Sequence, residues 1–492
     1  MKKALIGIIC SALIIPIAYG AEQIRDTGEK RYVQHEEDPA YTQCDCDGKD
    51  VLCTNLPIVE IDTDGVRIPG KRIGKNEKTG EKYYTKGPNG ESEIEGEIRV
   101  IDNGDEMNHV DDKVQTKSRM LIHIRGNSSR FFDKSSYAIN LIDKDGDNNN
   151  VEVMGMEAHH EWILNGPYID KTLMRNYMWY NIGGQIMDYA PNVRFCEVIV
   201  NGKYRGLYVM MESITAGKNG ARLNISVDKK DQTYSGYLLR VDRGSETSIK
   251  NIVPFSDYTY RNTSRMNIVY PGTSNLTEDI RFDIQTDFSK FEKTLYSYDY
   301  NDPDHGYKEL IDVESFADYF ILNEFTQNYD AGWLSTYIYK DSDGLFRMCM
   351  WDFNSACNGY RIDIPREGFI FQDAVWFNML IKDEDFVEEI IDRYRELRKG
   401  VLSEEYLYSY IDSVQAYLGD AVQRNYKVWG YTFGEDYDVF YPKNRNPRNY
   451  QQAVDYYKKM IHERGEWMDS NIESLRQYSA ESKVKKFNHQ AN

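Results

Sequence analysis

Asp330 and Asp352 stand at the two ends of a segment that reads as a hairpin. Asn328-Tyr329-Asp330 leads into a β-rich run at 335–340. The turn Asp341-Ser342-Asp343-Gly344 follows, and a second run at 345–351 ends in Asp352-Phe353-Asn354. Asp tolerates left-handed backbone and Gly supplies positive φ freely, so Asp-Ser-Asp-Gly between two strand-like runs marks a tight reversal. An antiparallel pair returns the chain to where it began, so Asp330 enters and Asp352 leaves at the same open end. Two carboxylates placed in this way suit phosphoryl transfer. One accepts the proton of an acceptor hydroxyl while the other holds Mg²⁺. The same pair could serve a glycosidase as acid and nucleophile.

A second polar constellation is Arg125-Gly126-Asn127-Ser128-Ser129-Arg130, followed by Lys134, in a loop between two strand-like runs. Gly126 and the hydroxyls of Ser128 and Ser129 let backbone amides approach a phosphate, and Arg125 and Lys134 add charge. A solvated hairpin loop has the same local composition. Glu212, at the end of an apolar run, is placed either to pair with Lys134 or to lie on a rim. Asp62-Thr63-Asp64-Gly65 and Asp143-Lys144-Asp145-Gly146-Asp147 read as turns. In the second, Met154 stands where an EF-hand loop needs its Glu. None of the eight histidines falls in a Gly-x-Ser-x-Gly or His-Glu-x-x-His context. Cys44-x-Cys46 with Cys53 has zinc-like composition, but no fourth ligand lies at a standard spacing.

The elements that must position these groups change character along the chain. Strand-like runs occupy 56–61, 97–101, 120–125 and 137–142, with Met120, Ile122 and Ile124 alternating against polar neighbours. Asn201-Gly202 between two apolar runs predicts a type I′ hairpin, and 236–242 reads as a further strand. One helix interrupts at 171–187, with Asp170 as its N-cap. Beyond about residue 280, helical spacing takes over. Val313, Phe316, Ala317, Phe320 and Ile321 share a face, as do Val387, Ile390, Ile391 and Tyr394 before Gly400. Further helices are expected at 404–424 and 450–477. The plan is α+β, with a β-rich half followed by a helical half.

The first twenty residues read as a secretory signal, with Lys2 and Lys3 ahead of an apolar stretch and Ala18-Tyr19-Gly20 before the cleavage point. No later run approaches the ~20 apolar residues of a membrane span. Cleavage removes two lysines and no acids, taking the net charge from −19 to −21. A surface so acidic repels nucleic acid and anionic lipid, which leaves a protein as the expected partner. The expected segments are a signal peptide at 1–20, a polar cysteine-containing leader at 21–55 and a β-rich lobe at 56–280. The catalytic hairpin and a helical lobe follow at 281–480, and a tail at 481–492. Export permits disulfides among the six remaining cysteines, in any of 15 pairings.

Taken in order, the motifs resemble those of the spore coat protein H (CotH) kinase-like family. They are Arg125-Gly126-Asn127-Ser128-Ser129 with Lys134-Ser135-Ser136-Tyr137, Asp170-Lys171-Thr172 with Arg175-Asn176, and Asn201-Gly202 with Gly206-Leu207-Tyr208 and Glu212. Gly236-Tyr237-Leu238-Leu239 with Asp242, and then the acidic hairpin, complete the set. The resemblance implies a divergent protein kinase-like, two-lobe fold that transfers phosphate from ATP, with Mg²⁺, to Ser or Thr hydroxyls of an extracytoplasmic or coat protein. It implies Asp330 as the catalytic aspartate and Asp352 as the metal ligand, assisted by Asn354 and Ser335. These two stand where the family carries Asp and often Asn. It further implies Lys134 at the nucleotide phosphates, supported by Glu212. The other function it allows is a kinase-like surface, adhesion or extracellular-assembly protein that does not catalyse.

Overall fold

The structure is a computed structural model that describes residues 31–36, 44, 46, 52–217, 222–243, 248–259 and 265–480. The signal-peptide and tail expectations, and most of the leader, lie outside the described residues.

The first half is built around a closed seven-stranded barrel. Its order is Glu161–Asn165, Lys203–Glu212, Val193–Val200, Ile58–Asp62, Ile94–Ile101, Thr116–Ile124 and Tyr137–Ile142, the last pairing back onto the first. All neighbours are antiparallel except Ile58–Asp62 against Val193–Val200. Strand alternation sends Met120, Ile122, Val59, Val100, Leu141 and Met210 into one apolar core. The Asn-Gly reversal forms as expected, with φ of 49° at Asn201 and 70° at Gly202.

A second, five-stranded sheet runs in the order Asn251–Ile252, Arg265–Tyr270, Tyr237–Asp242, Thr336–Lys340, Phe346–Cys349. The acidic hairpin is therefore an edge extension of this sheet, and the sheet crosses residue 280. Tyr237, Leu239 and Ile338 bury into a core shared with the helices.

The helical half contains Glu278–Leu295, Val313–Thr326, Glu384–Leu397, Glu404–Trp429 and Tyr450–Asn471. All five start on side-chain caps, with Thr277, Asp312, Asp383, Ser403 and Asn449 each accepting from a first-turn amide. The expected helix at 171–187 is shorter, Arg175–Gly183, and every residue in it is buried. Leu173 at φ 67° delays its start. Asp170 still serves its first turn, accepting from the Arg175 amide at 2.9 Å and the Thr172 amide at 3.0 Å. Among the described residues no helix is long and apolar enough to cross a membrane.

Candidate active site

The helix Val313–Thr326 delivers Asp330. It stops at Gln327, whose φ of 49° is left-handed, and the Asn328 amide folds back on the Asn323 carbonyl at 3.0 Å. The Asp330 carbonyl then accepts from Trp333 and Leu334 at 3.2 and 2.8 Å. Gly332, at φ 79°, is required in this turn because a Cβ there would meet the Ala374 methyl at 2.5 Å. Ser335 is half-buried at φ 51°, at the bend into Thr336–Lys340.

The hairpin returns through Phe346–Cys349 to Asp352 at φ 58°, with its amide donating to the Tyr180 hydroxyl at 2.8 Å. Tyr180 belongs to the buried helix, so an immobile element sets the angle at which Asp352 enters the site. Asn354 donates its side-chain amide to the Asp352 carboxylate. The Trp351 ring lies 5.4 Å from that of Tyr337, tilted by 58°, and carries the Arg125 guanidinium over its face at 5.7 Å.

Electrostatics tie these groups together. Burial pushes the Asp352 carboxyl up to about 6; Arg125 opposes the rise, while Asp330 and Asp242 reinforce it. Asp330 is also raised, first by burial, against Arg243 and with Asp242. Three carboxylates from three segments thus share one field. Asp242 ends the strand Tyr237–Asp242, one residue beyond the pair Val241–Thr336, so strand register places it beside the hairpin mouth. Its carboxylate lies 3.8 Å from Arg240. It stands in the ordered motif set without a role there, and the pairing of distant strands is what brings it to Asp330 and Asp352.

The glycine loop supplies the opposite charge. Arg125 follows the barrel strand Thr116–Ile124 and faces Asp352. Gly126 has φ 101°, and a Cβ there would collide with the Ser129 hydroxyl. Ser128 is exposed and Ser129 half-buried, its hydroxyl 3.4 Å from the Arg125 carbonyl. Arg130 lies over the Tyr84 ring at 4.7 Å, and Lys82 bonds Asn127. Burial lowers the Lys82 ammonium, as do Arg72, Arg243 and Lys75. Arg243 thus neighbours both Asp330 and the cations around the loop.

Two expected partners do not meet. Lys134 is 1% exposed, donates to the Asn425 side chain at 2.8 Å and lies 5.1 Å from the centre of the Tyr208 ring. Burial holds its ammonium well below the usual lysine range, and Lys171 adds to this. Glu212 instead accepts from Arg222 at 2.7 Å and from the Asn192 amide at 2.8 Å. The reason is strand length. Asn425 also accepts from the Leu207 amide, at 3.2 Å, whereas Glu212 lies five residues farther along the strand. At ~3.3 Å per residue that is roughly 16 Å. Lys134 therefore anchors the barrel to the helix Glu404–Trp429, and Glu212 does not position it.

A polar cavity of about 360 Å³ lies at the turn end of the hairpin, lined by Asp188, Arg222, Tyr339, Asp341 and Arg347 among others. It is at the opposite end from Asp330 and Asp352.

The chain matches the family model described as CotH kinase protein over residues 122–468, which includes the glycine loop and all three carboxylates. The chain belongs to that family. It is also 23% identical over 239 residues to the inner spore coat protein H of Bacillus subtilis (strain 168). That alignment covers 48% of this chain and 58% of the relative, so it spans little more than half the length of the curated protein it matches.

Proposed function

We propose that this CotH-family chain is an exported, kinase-like phosphotransferase of the cell surface or coat, moving phosphate from ATP to Ser or Thr hydroxyls of a protein. The observation that carries this reading is the convergence of Asp242, Asp330 and Asp352 beside an arginine-bearing glycine loop. The donor set fits Mg²⁺. Oxygen ligands predominate, and a divalent ion would relieve Asp330 and Asp352, whose carboxyls burial pushes up. Asp352 and Asp242 would hold the ion, with the Asn354 amide orienting Asp352. Bound there, Mg²⁺ supplies charge neutralisation on the phosphate oxygens.

The chain's own residues do the rest. Asp330, on its turn at the mouth, accepts the proton of the acceptor hydroxyl. Arg125, held over Trp351, and the amides after Gly126 receive the phosphates, with Arg243 beside Asp330 as a further cation. The β-rich half with the loop and the helical half with Asp330 take the parts of the two lobes of a kinase-like fold. The second reading, a surface protein that binds without catalysis, is favoured by Asn354 and Ser335, neutral groups that leave the metal set short of charge.

Incubation with labelled ATP and Mg²⁺, beside Asp330→Asn and Asp352→Asn, tests the proposal. Transfer abolished by both substitutions supports it. An ATP-dependent thermal shift without transfer favours the second reading, and the absence of both shift and transfer would sink the first.

A further inference from the structure

We propose that Cys44, Cys46, Cys53 and His109 form a closed, four-coordinate site for Zn²⁺. The cysteine spacing alone offers no fourth ligand. The fold supplies one from 56 positions downstream of Cys53, because the short strands Cys53–Thr54 and Asn108–His109 pair antiparallel with Cys53 directly opposite His109. The three sulfurs and one imidazole nitrogen all lie within 4.8 Å of one another. A tetrahedral zinc site with Zn–S near ~2.3 Å has ligand-to-ligand edges of roughly 3.5–3.8 Å, so the cluster needs only a slight contraction to close on an ion.

Details around the cluster match what a metal-binding imidazole and thiolates use. His109 presents Nε2 to the Cys44 sulfur at 3.1 Å, and its Nδ1 lies 3.2 Å from the Asp112 carboxylate. Asp112 is in turn fixed by the His109 amide at 2.8 Å and by Asn103 at 2.7 Å. A carboxylate behind the ring fixes the tautomer that leaves Nε2 free to bind. The Cys46 amide donates to the Cys44 sulfur at 3.3 Å, as an amide does toward a thiolate that needs charge relief.

The S₃N set selects the metal. Mg²⁺ and Ca²⁺ require oxygen, whereas a tetrahedral thiolate–imidazole set is that of structural zinc. Four protein ligands leave no open position, so the site is structural. A disulfide would use two of the thiols and leave the third, with its oriented histidine, unexplained. The site staples the segment ahead of the first barrel strand to the excursion between strands Ile94–Ile101 and Thr116–Ile124. All four ligands precede residue 122, outside the family match.

The test is metal analysis of the intact purified chain, with Zn²⁺ and Co²⁺ as probes. One zinc per chain is expected, together with tetrahedral thiolate bands when Co²⁺ replaces it. Cys53→Ser and His109→Ala should each lose the metal, while His109→Cys retains it as a four-thiolate site. Asp112→Asn should weaken zinc binding about 10–100-fold. If the single-ligand variants fail to fold, release of zinc from the wild-type chain by a thiol-specific mercurial gives the same answer. A chain that takes up neither ion, or peptide mapping that finds two of these cysteines joined as a disulfide, overturns the proposal.

Discussion

Replacing Asp352 by Asn removes a carboxylate that the fold holds at a disadvantage, so the substitution should stabilise the Mg²⁺-free protein at neutral pH. The folded chain raises this carboxyl from 3.8 to about 6. At about 1.36 kcal/mol per pH unit, the rise corresponds to about 3 kcal/mol. The side chain is only partly buried, and solvent screening trims this to about 2–3 kcal/mol. Below pH ~4 the group is neutral in both the folded and the unfolded chain and costs nothing. As pH rises from ~4 to ~6 the unfolded chain releases its proton first, so wild-type stability falls across that window and stays lower above it. The Asn354 amide can still donate to the side-chain oxygen at position 352 in the amide variant, which carries no proton to lose. For a chain of 492 residues, an unfolding entropy of about 1 kcal/mol/K converts the difference into a Tm about 2–3 °C higher for Asp352→Asn at pH 7.5, vanishing near pH 4. Mg²⁺ should close this gap, since at about 100 times its Kd it adds about 2.7 kcal/mol to the wild type alone. Differential scanning calorimetry at both pH values, with and without Mg²⁺, measures all of this. Equal Tm values at pH 7.5 without Mg²⁺, or equal stabilisation of both proteins by it, would refute the reasoning.

Asp330→Asn removes the proton acceptor but leaves Asp352 and Asp242, so transfer should fall about 10²–10⁴-fold while the Mg²⁺–ATP thermal shift persists; loss of the shift would contradict the division of roles. Gly126→Ala puts a side chain at φ 101° against the Ser129 hydroxyl and should cost about 1–3 kcal/mol of loop order, seen as weaker ATP binding in calorimetry. Lys134→Met should leave the ATP response intact, because its ammonium is spent on Asn425; a lost response would return Lys134 to the phosphates. Glu324 and Arg464 form a fully buried ion pair, with Glu324 also accepting from the Phe371 amide at 2.8 Å. Glu324→Gln strands the arginine and should cost about 3–5 kcal/mol in denaturant unfolding, and a change below about 1 kcal/mol would argue against it.

Much of the frame is legible in local sequence because its causes are local. Asp-Ser-Asp-Gly and Asn201-Gly202 specify their reversals through backbone conformations that few other residues adopt. The 3.6-residue spacing from Val313 to Ile321 specifies a buried helical face. Helix ends were less legible where a single left-handed residue, Leu173, moved the start of Arg175–Gly183.

The amino-acid sequence by itself determined the β-then-α order, the acidic hairpin and the nearness of Asp330 to Asp352, since one hairpin spans both. Only the tertiary structure decided what surrounds them. Strand pairing across residue 280 brought Asp242 in as a third carboxylate, and strand length carried Glu212 away from Lys134. A two-residue ladder set His109 opposite Cys53 and completed a cluster that spacing had left one ligand short. Such neighbours come from contacts between segments tens to hundreds of residues apart, and no local pattern of residues encodes them.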